Sequence, residues 1–347
     1  MTPGLVSIVI AAYNAEPYIA DTCRSALAQT YPSIEVIVVD DGSTDRTAAI
    51  VREMSASDAR LRLIQQPNRG VAAARNAGIE AAAGEFIAPL DADDIWNHQK
   101  IERQVQRVRE SGPGTGMVYC WWAWLDKDKL MLDRSPRWHV EGRVWDKLVE
   151  VNFTGGGSVP LYRRSSIQQV GGYSVVLRDR GGQGCEDWDL AIRVAEEFDV
   201  AVVPAVLVGY RRLPDSMSAD CETMWRSKRQ VMERLSARRS SVPAKVIRRS
   251  NTQFALYLAG VAFWSRRYVE AIRWGLRARS LSLLMTIMPH VARLLLRRVL
   301  GSERRAPVRF VETGPFDESR LPDPLIPYDD ICTRRWEREG PGTRATP

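Results

Sequence analysis

The stretch Ile87-Ala88-Pro89-Leu90-Asp91-Ala92-Asp93-Asp94 runs from a hydrophobic strand directly into acid. Carboxylates at such a point lie over the strand ends, where open α/β sheets bind ligands. An Asp-x-Asp pair there suits Mg2+ or Mn2+, which take one or two protein carboxylates and complete their octahedra with water and phosphate. Taken alone, the same acids read as a solvated cap on a helix starting near Trp96. The flanking sequence has to decide.

Upstream of the acids, short β-branched runs alternate with helix-like stretches, the pattern of a parallel sheet covered by helices. Val6 to Ile10 reads as a buried strand and Pro17 to Gln29 as a helix with proline in its first turn. Ile34 to Val39 is a second strand, ending in Asp40-Asp41-Gly42-Ser43, and Ser43 or Thr44 is placed to cap a helix running to about Met54. Leu61 to Gln65 is a third strand. Val71 to Ala83 reads as an alanine-rich helix stopped by Gly84, and Phe86 to Leu90 delivers the acidic cluster. Ile101 to Glu110 reads as helix and Met117 to Trp124 as strand.

From Trp138 to Ser218 the chain is richer in glycine and aromatic residues. Its loops Gly155-Gly156-Gly157, Gly171-Gly172 and Gly181-Gly182 are where a mobile substrate-covering segment would sit, with ordinary turns as the plainer reading. A helix is expected from Glu186 to Glu197. Beyond about Thr223 the chain turns to arginine-rich helices.

The 347 residues are enough for one large domain and an accessory one, and 45% hydrophobic with 26% charged residues describes a globular chain. The net charge of +7 is uneven. Trp225 to Val308 carries 19 Lys and Arg against three Glu, a balance of +16 that leaves −9 for the rest. Five scattered cysteines (Cys23, Cys120, Cys185, Cys221, Cys332) without a C-x-x-C pair argue for reduced thiols, against a disulfide framework or zinc site. Three histidines leave little for a His-rich metal centre or a Ser-His-Asp hydrolase. No signal peptide is apparent, and no run reaches ~18 uninterrupted apolar residues. Ala255 to Trp264 is too short, and Leu281 to Leu296 is broken by Pro289, His290 and Arg293. A cytoplasmic location is the expectation.

Three strand ends carry groups that can converge on one ligand. Ala11-Ala12-Tyr13-Asn14 follows the first strand, and Tyr13 is placed either to lie against a nucleobase or to pack as a rim residue. Asp40 and Asp41 follow the second, where a carboxylate accepts an imide N–H or a ribose hydroxyl, or simply holds a turn. Arg75 sits on the helix entered through Asn68-Arg69-Gly70, within reach of base or phosphates, or at the surface.

In order and spacing, Ser7 to Asn14, Val38 to Asp45, Asn68-Arg69-Gly70 with Ala74 to Gly78, and Leu90 to Asp94 closely resemble the family 2 glycosyltransferases. The resemblance spans roughly Val6 to Asp220. It implies the GT-A fold, a Rossmann-like, mostly parallel α/β sheet with flanking helices. It further implies that Tyr13 and Asp41 hold the nucleobase with Arg75 near it, that Asp91 sits by the ribose, that Ala11 and Ala92 are also among the donor-binding residues, and that Asp93 coordinates a Mn2+ or Mg2+ ion on the diphosphate.

Gly184-Cys185-Glu186-Asp187-Trp188-Asp189-Leu190 resembles the family's Glu-Asp motif. Asp187 is then the base that deprotonates the acceptor hydroxyl, with Glu186 orienting it or binding acceptor. Without the resemblance these acids read as a helix start favoured by the dipole, and Trp188 as a sugar platform or a core residue. Tyr210-Arg211-Arg212-Leu213 resembles the segment after the last catalytic strand. Leu213 stands where many relatives have histidine, so no histidine contact is carried over; Arg211 or Arg212 is the substitute for neutralising the diphosphate. No Gln-x-x-Arg-Trp motif follows, which argues against a processive synthase.

The resemblance implies a metal-dependent inverting transferase that moves a sugar from a nucleotide-sugar donor, UDP or dTDP ahead of GDP, to a glycan or lipid-linked acceptor in cell-surface polysaccharide synthesis. A non-catalytic nucleotide- or glycan-binding relative and a nucleotidyltransferase remain as other readings. A dinucleotide oxidoreductase lacks its G-x-G-x-x-G after the first strand. The expected organisation is a catalytic domain at 1–222 (nucleotide half 1–125, acceptor half 126–222), a basic helical extension at 223–306 and an extended tail at 307–347. Trp264, Tyr268, Ile272, Trp274 and Leu276 among arginines suit either an anionic membrane interface, making the chain peripheral on the inner face of the plasma membrane, or packing on the catalytic domain. Nucleic-acid binding lacks a recognisable module.

Overall fold

The computed structural model describes residues 1–213, 216–238, 242–278 and 310. The apolar run Leu281 to Leu296, Cys332 and the tail from Pro307, Phe310 excepted, lie outside the described residues. Among the described residues, nine strands form one mixed sheet: β1 (Thr2–Ala12), β2 (Ile34–Asp40), β3 (Leu61–Gln65), β4 (Gly84–Asp91), β5 (Ile95–Trp96), β6 (Thr115–Leu125), β7 (Met131–Arg134), β8 (Leu161–Arg163) and β9 (Asp199–Arg211). Their order is β3-β2-β1-β4-β8-β6-β9-β5, with β7 paired to β6.

The first four strands are parallel, and the order turns back between β1 and β4. Val6, Ile8, Val9 and Ile10 of β1 are fully buried, as a central strand covered on both faces requires. The helix Val71–Ala81 packs on β1 and β2 so closely that a Cβ on Gly78 would lie 2.4 Å from a methyl of Val9. Substitution there would force the helix off the sheet. The register pairs Ala11 with Asp91, so the ends of β1 and β4 open side by side at the switch point.

Several boundaries differ from the sequence expectations, for local physical reasons. Trp96 starts no helix: Ile95 and Trp96 pair with Gly209 and Val208 of β9, and the helix begins at Lys100. The third helix ends at Ala81, and Gly84 opens β4, where its backbone runs against Leu5 and Ser7 too closely for any side chain. The helix Thr47–Ser55 is not capped by Ser43 or Thr44. Asp45 accepts from Thr47 N at 2.9 Å instead, while Ser43 Oγ accepts from Asn14 N.

Beyond β9 come the helices Cys221–Arg238, Ala244–Trp264 and Tyr268–Arg277. They pack on the sheet domain. Trp188 stacks on Phe254 with centroids 5.7 Å apart, worth ~0.5–1.5 kcal/mol beyond burial. Trp225 packs on the fully buried Trp274, and Arg238 pairs with Glu196 at 3.1 Å. Cys23, Cys120, Cys185 and Cys221 are buried and unpaired. No helix of the described residues is long and apolar enough to cross a membrane.

Candidate active site

A crevice of about 1,000 Å3 opens over the ends of β1, β2 and β4. Ala11, Tyr13, Asp41, Arg75, Asp91, Ala92, Asp93, Glu186 and Asp187 all line it, although they come from segments far apart in the chain. Tyr13 is 53% exposed, so it stands free over the crevice rather than packing as a rim residue. The turn that presents it is held by Asn14, which has φ of 49° and accepts from Thr44 N.

Asp41 is buried, and its carboxylate is heavily used. Oδ1 accepts from Gln66 Nε2 at 2.7 Å and Arg69 N at 2.8 Å, and Oδ2 from Gly70 N at 2.7 Å. Of about four acceptor positions on a carboxylate, one is left for a ligand. Asp41 therefore also ties the end of β2 to the loop feeding the third helix.

Arg75 lines the crevice beside the acids. Its guanidinium is buried, donating to Asp91 Oδ1 on one side and to Glu186 Oε1 at 2.8 Å on the other, above the ring of Tyr173. Burial works against its charge, but Asp91, Glu186 and Asp187 around it raise its pKa well above the ordinary value. Arg75 thus fastens the acidic loop of β4 to the Glu-Asp segment 111 residues away. Gly157 makes room for it, since a Cβ there would lie 2.5 Å from Arg75 Nη2. The Gly155-Gly156-Gly157 loop is packed against Trp122, Tyr210 and Arg75 rather than laid over the crevice as a loose cover.

Asp187 opens the helix Glu186–Glu197 and accepts from Trp188 N at 2.7 Å. Burial, then the charge of Glu186, pushes its carboxyl up to about 7. A carboxylate tuned to that range is poised as a general base near neutral pH. Glu186 accepts from Gly184 N as well as from Arg75. Trp188 is a core residue, with its indole N–H donating to Leu148 O.

Burial, then the neighbouring Asp91, pushes Asp93 up to about 6. A site that strains a carboxylate in this way is relieved by a cation. Among the described residues no three His, Cys, Asp or Glu side chains form a complete cage. One or two carboxylates opening into a crevice nevertheless fit Mg2+ or Mn2+, which draw their remaining ligands from water and phosphate.

Asp94 was not singled out in the sequence. It is buried, accepts from Ser158 Oγ and from Arg211 N at 2.9 Å, and so joins β4, the Ser158 loop and β9. Arg211 turns inward rather than toward a diphosphate: Nη1 donates to Asp93 O at 2.6 Å and the guanidinium lies over Tyr18. Arg212 is stacked between Trp124, at 4.4 Å, and Trp264, at 5.2 Å. Leu213 lines the crevice.

The sequence profile of glycosyl transferase family 2 matches residues 7–171, just under half of the chain. Residues 7–171 are thus a glycosyl transferase family 2 segment. The family 2 segment includes Ala11, Tyr13, Asp41, Arg75, Asp91, Ala92 and Asp93, while Glu186 and Asp187 lie beyond it. EpsH of Bacillus subtilis (strain 168) is 43% identical over 172 residues, covering 48% of this chain and 49% of that protein. Chondroitin synthase of Escherichia coli is 34% identical over 139 residues, 40% of this chain and 20% of that one. The chain spans about half or less of the length of the curated relatives it matches. Among solved structures, Staphylococcus aureus TarS 1–349 in complex with UDP-GlcNAc aligns with a TM-score of 0.55 at 17% identity, covering 75% of this chain and 72% of that one. At that identity the likeness is one of fold. The fold is GT-A with a helical C-terminal region.

Proposed function

We propose that this chain is an inverting glycosyltransferase that moves a sugar from a nucleotide-sugar donor to a glycan or lipid-linked acceptor in cell-surface polysaccharide synthesis. Arg75 carries the proposal, because it fastens Asp91 on the donor side to Glu186, beside Asp187, across one crevice. The working division is a catalytic domain at 1–222, the helical extension at 223–306 and the tail at 307–347.

Tyr13 lies against the base and the remaining acceptor position of Asp41 takes an imide N–H, which favours uridine or thymidine over guanosine. TarS, which shares the fold, binds UDP-GlcNAc by its title. Asp91 and Ala92 face the ribose, and Asp93 holds Mn2+ or Mg2+ when the ion is bound. Bound there, the ion offsets charge growing on the leaving diphosphate.

Asp187 takes the proton of the acceptor hydroxyl, and the oxygen attacks the anomeric carbon from the face opposite the diphosphate. The bond from that carbon to the diphosphate oxygen breaks with its electron pair, leaving the nucleoside diphosphate. The charge builds through an oxocarbenium-like transition state. One displacement inverts the centre.

A panel of nucleotide sugars, followed by nucleoside diphosphate release with and without Mn2+, tests the reading. At least one donor is expected to turn over, and Asp93→Ala is expected to lower that rate by about 100-fold or more. Metal-independent release unaffected by Asp93→Ala would remove the ion from the account. Binding without any release would favour a non-catalytic relative.

Peripheral attachment to an anionic membrane is part of the proposal. On the helix Tyr268–Arg277, Val269 is 77% exposed and Ile272 and Leu276 are each 61% exposed, with Arg266, Arg273 and Arg277 also exposed around them. Apolar residues one helical turn apart among arginines match an interfacial helix. Val269→Ser with Ile272→Ser and Arg273→Gln is expected to abolish sedimentation with phosphatidylserine-containing vesicles. Unchanged sedimentation would sink the attachment.

A further inference from the structure

A second cavity, of about 210 Å3, adjoins the crevice and shares Gly156, Gly184, Asp187, Tyr210 and Ser218 with it. Asp187 stands at the neck between the two. The walls are largely aromatic: Trp122, Trp124 and Trp138 come from the sheet domain, and Phe254, Tyr257 and Trp264 from the helix Ala244–Trp264. That helix lies outside the family 2 segment, so this wall belongs to the extension.

We infer that this cavity receives one uncharged sugar ring of the acceptor, with the helix Ala244–Trp264 supplying the wall that selects it. The inference rests on the glycosyltransferase reading and deepens it. Aromatic faces match the C–H face of a pyranose, while a few polar groups suffice for its hydroxyl edge. Asp133, Glu150, Asn152 and Gln253 are among the polar residues of the lining, and Glu150 also pairs with Arg249 at 3.6 Å. Acids outnumber cations in the lining, a balance that favours hydroxyl donors over an anionic ring or a phosphate. The cation at this cavity, Arg212, is sandwiched between Trp124 and Trp264 and bridges the sheet domain to the extension. The volume decides the size of the guest. It is smaller than the ~300–1,000 Å3 usual for drug-sized ligands, room for a single ring next to the attacking hydroxyl. A ring seated here brings that hydroxyl to Asp187, at the border with the donor crevice.

Saturation-transfer NMR on the full chain without nucleotide reads this cavity apart from turnover. The probes are methyl glucoside and methyl N-acetylglucosaminide as neutral rings, with methyl glucuronide and glycerol 3-phosphate as charged arms. Transfer from protein aromatics to the neutral ring protons is expected, with little to the charged probes. Trp124→Ala and Trp264→Ala are each expected to weaken it about tenfold or more, and Trp264→Phe to restore most of it. Thermal unfolding of each variant checks that the fold survives. Preference for the charged probes, no transfer to any probe, or neutral-ring binding untouched by the tryptophan variants would each overturn the inference. Ring binding as expected with no donor ever turned over would leave the cavity standing and end the glycosyltransferase reading. Donor turnover with no ring bound would do the reverse.

Discussion

Asp187→Asn is expected to lower transfer by about 10^2–10^4-fold while making the protein more stable. The carboxyl of Asp187 is held at about 7, against an ordinary 3.8, by burial and then by Glu186. The folded state therefore binds this proton more tightly than the unfolded chain. The stability this confers is full below the unfolded value, and is lost as pH rises through about 7. Above that, an ionised Asp187 works against folding. Asparagine mimics the protonated form, so the gain should be absent near pH 4 and fully developed at pH 8. Its size should be on the order of 1–3 kcal/mol. Urea unfolding of both proteins at the two pH values measures it. Activity runs the other way, since only the ionised form removes a proton: kcat/KM of the native enzyme should rise with pH through about 7. Near-normal turnover by Asp187→Asn would mean that another group is the base.

Arg75→Met should produce the largest loss of stability. The side chain is buried between Asp91 and Glu186, with Asp187 close enough to bias its charge. Removing one member of a buried ionic network leaves the others uncompensated, at a cost of about 3–5 kcal/mol. The deficit should be greatest at pH 8 and shrink toward pH 5, where Asp187, pushed up to about 7, takes up its proton. Glu186→Gln in the Arg75→Met background should recover part of the stability, because it removes one of those charges. Transfer should stay low in both, because nothing then holds the acidic loop against the Glu-Asp segment. Equal stability of Arg75→Met and the native protein at pH 8 would show that the pairing is dispensable, and with it the link between the two halves of the site.

The first four strands were legible because each is a run of β-branched and apolar residues, and such runs form strands in whatever order the sheet takes. β3 was found to the residue at Leu61–Gln65, and β2 missed only Asp40. The helix Glu186–Glu197 was found whole, its start marked by acids that suit a helix dipole. Trp96 misled because its partner, Val208 of β9, is more than a hundred residues away. The basic helices read equally well as membrane-facing or core-facing, since an arginine-tryptophan pattern serves both. Packing gives Trp225 and Trp274 to the interior and leaves Val269, Ile272 and Leu276 outside.

The site divides in the same way. Which side chains line the crevice was legible in the sequence, because carboxylates, an aromatic and glycines at strand ends keep their chemical character wherever the chain puts them. What each carboxylate is bonded to was not. Asp41 spends most of its acceptor capacity on its own loop, Asp94 locks β4 to β9, and Arg75 holds two acids together. The aromatic cavity beside Asp187 has no trace in any single segment. Local spacing fixes a strand or a helix start, since those depend on neighbours in the chain. Partnership across the crevice depends on sheet order and on how the last helices dock, and only the packed chain decides that.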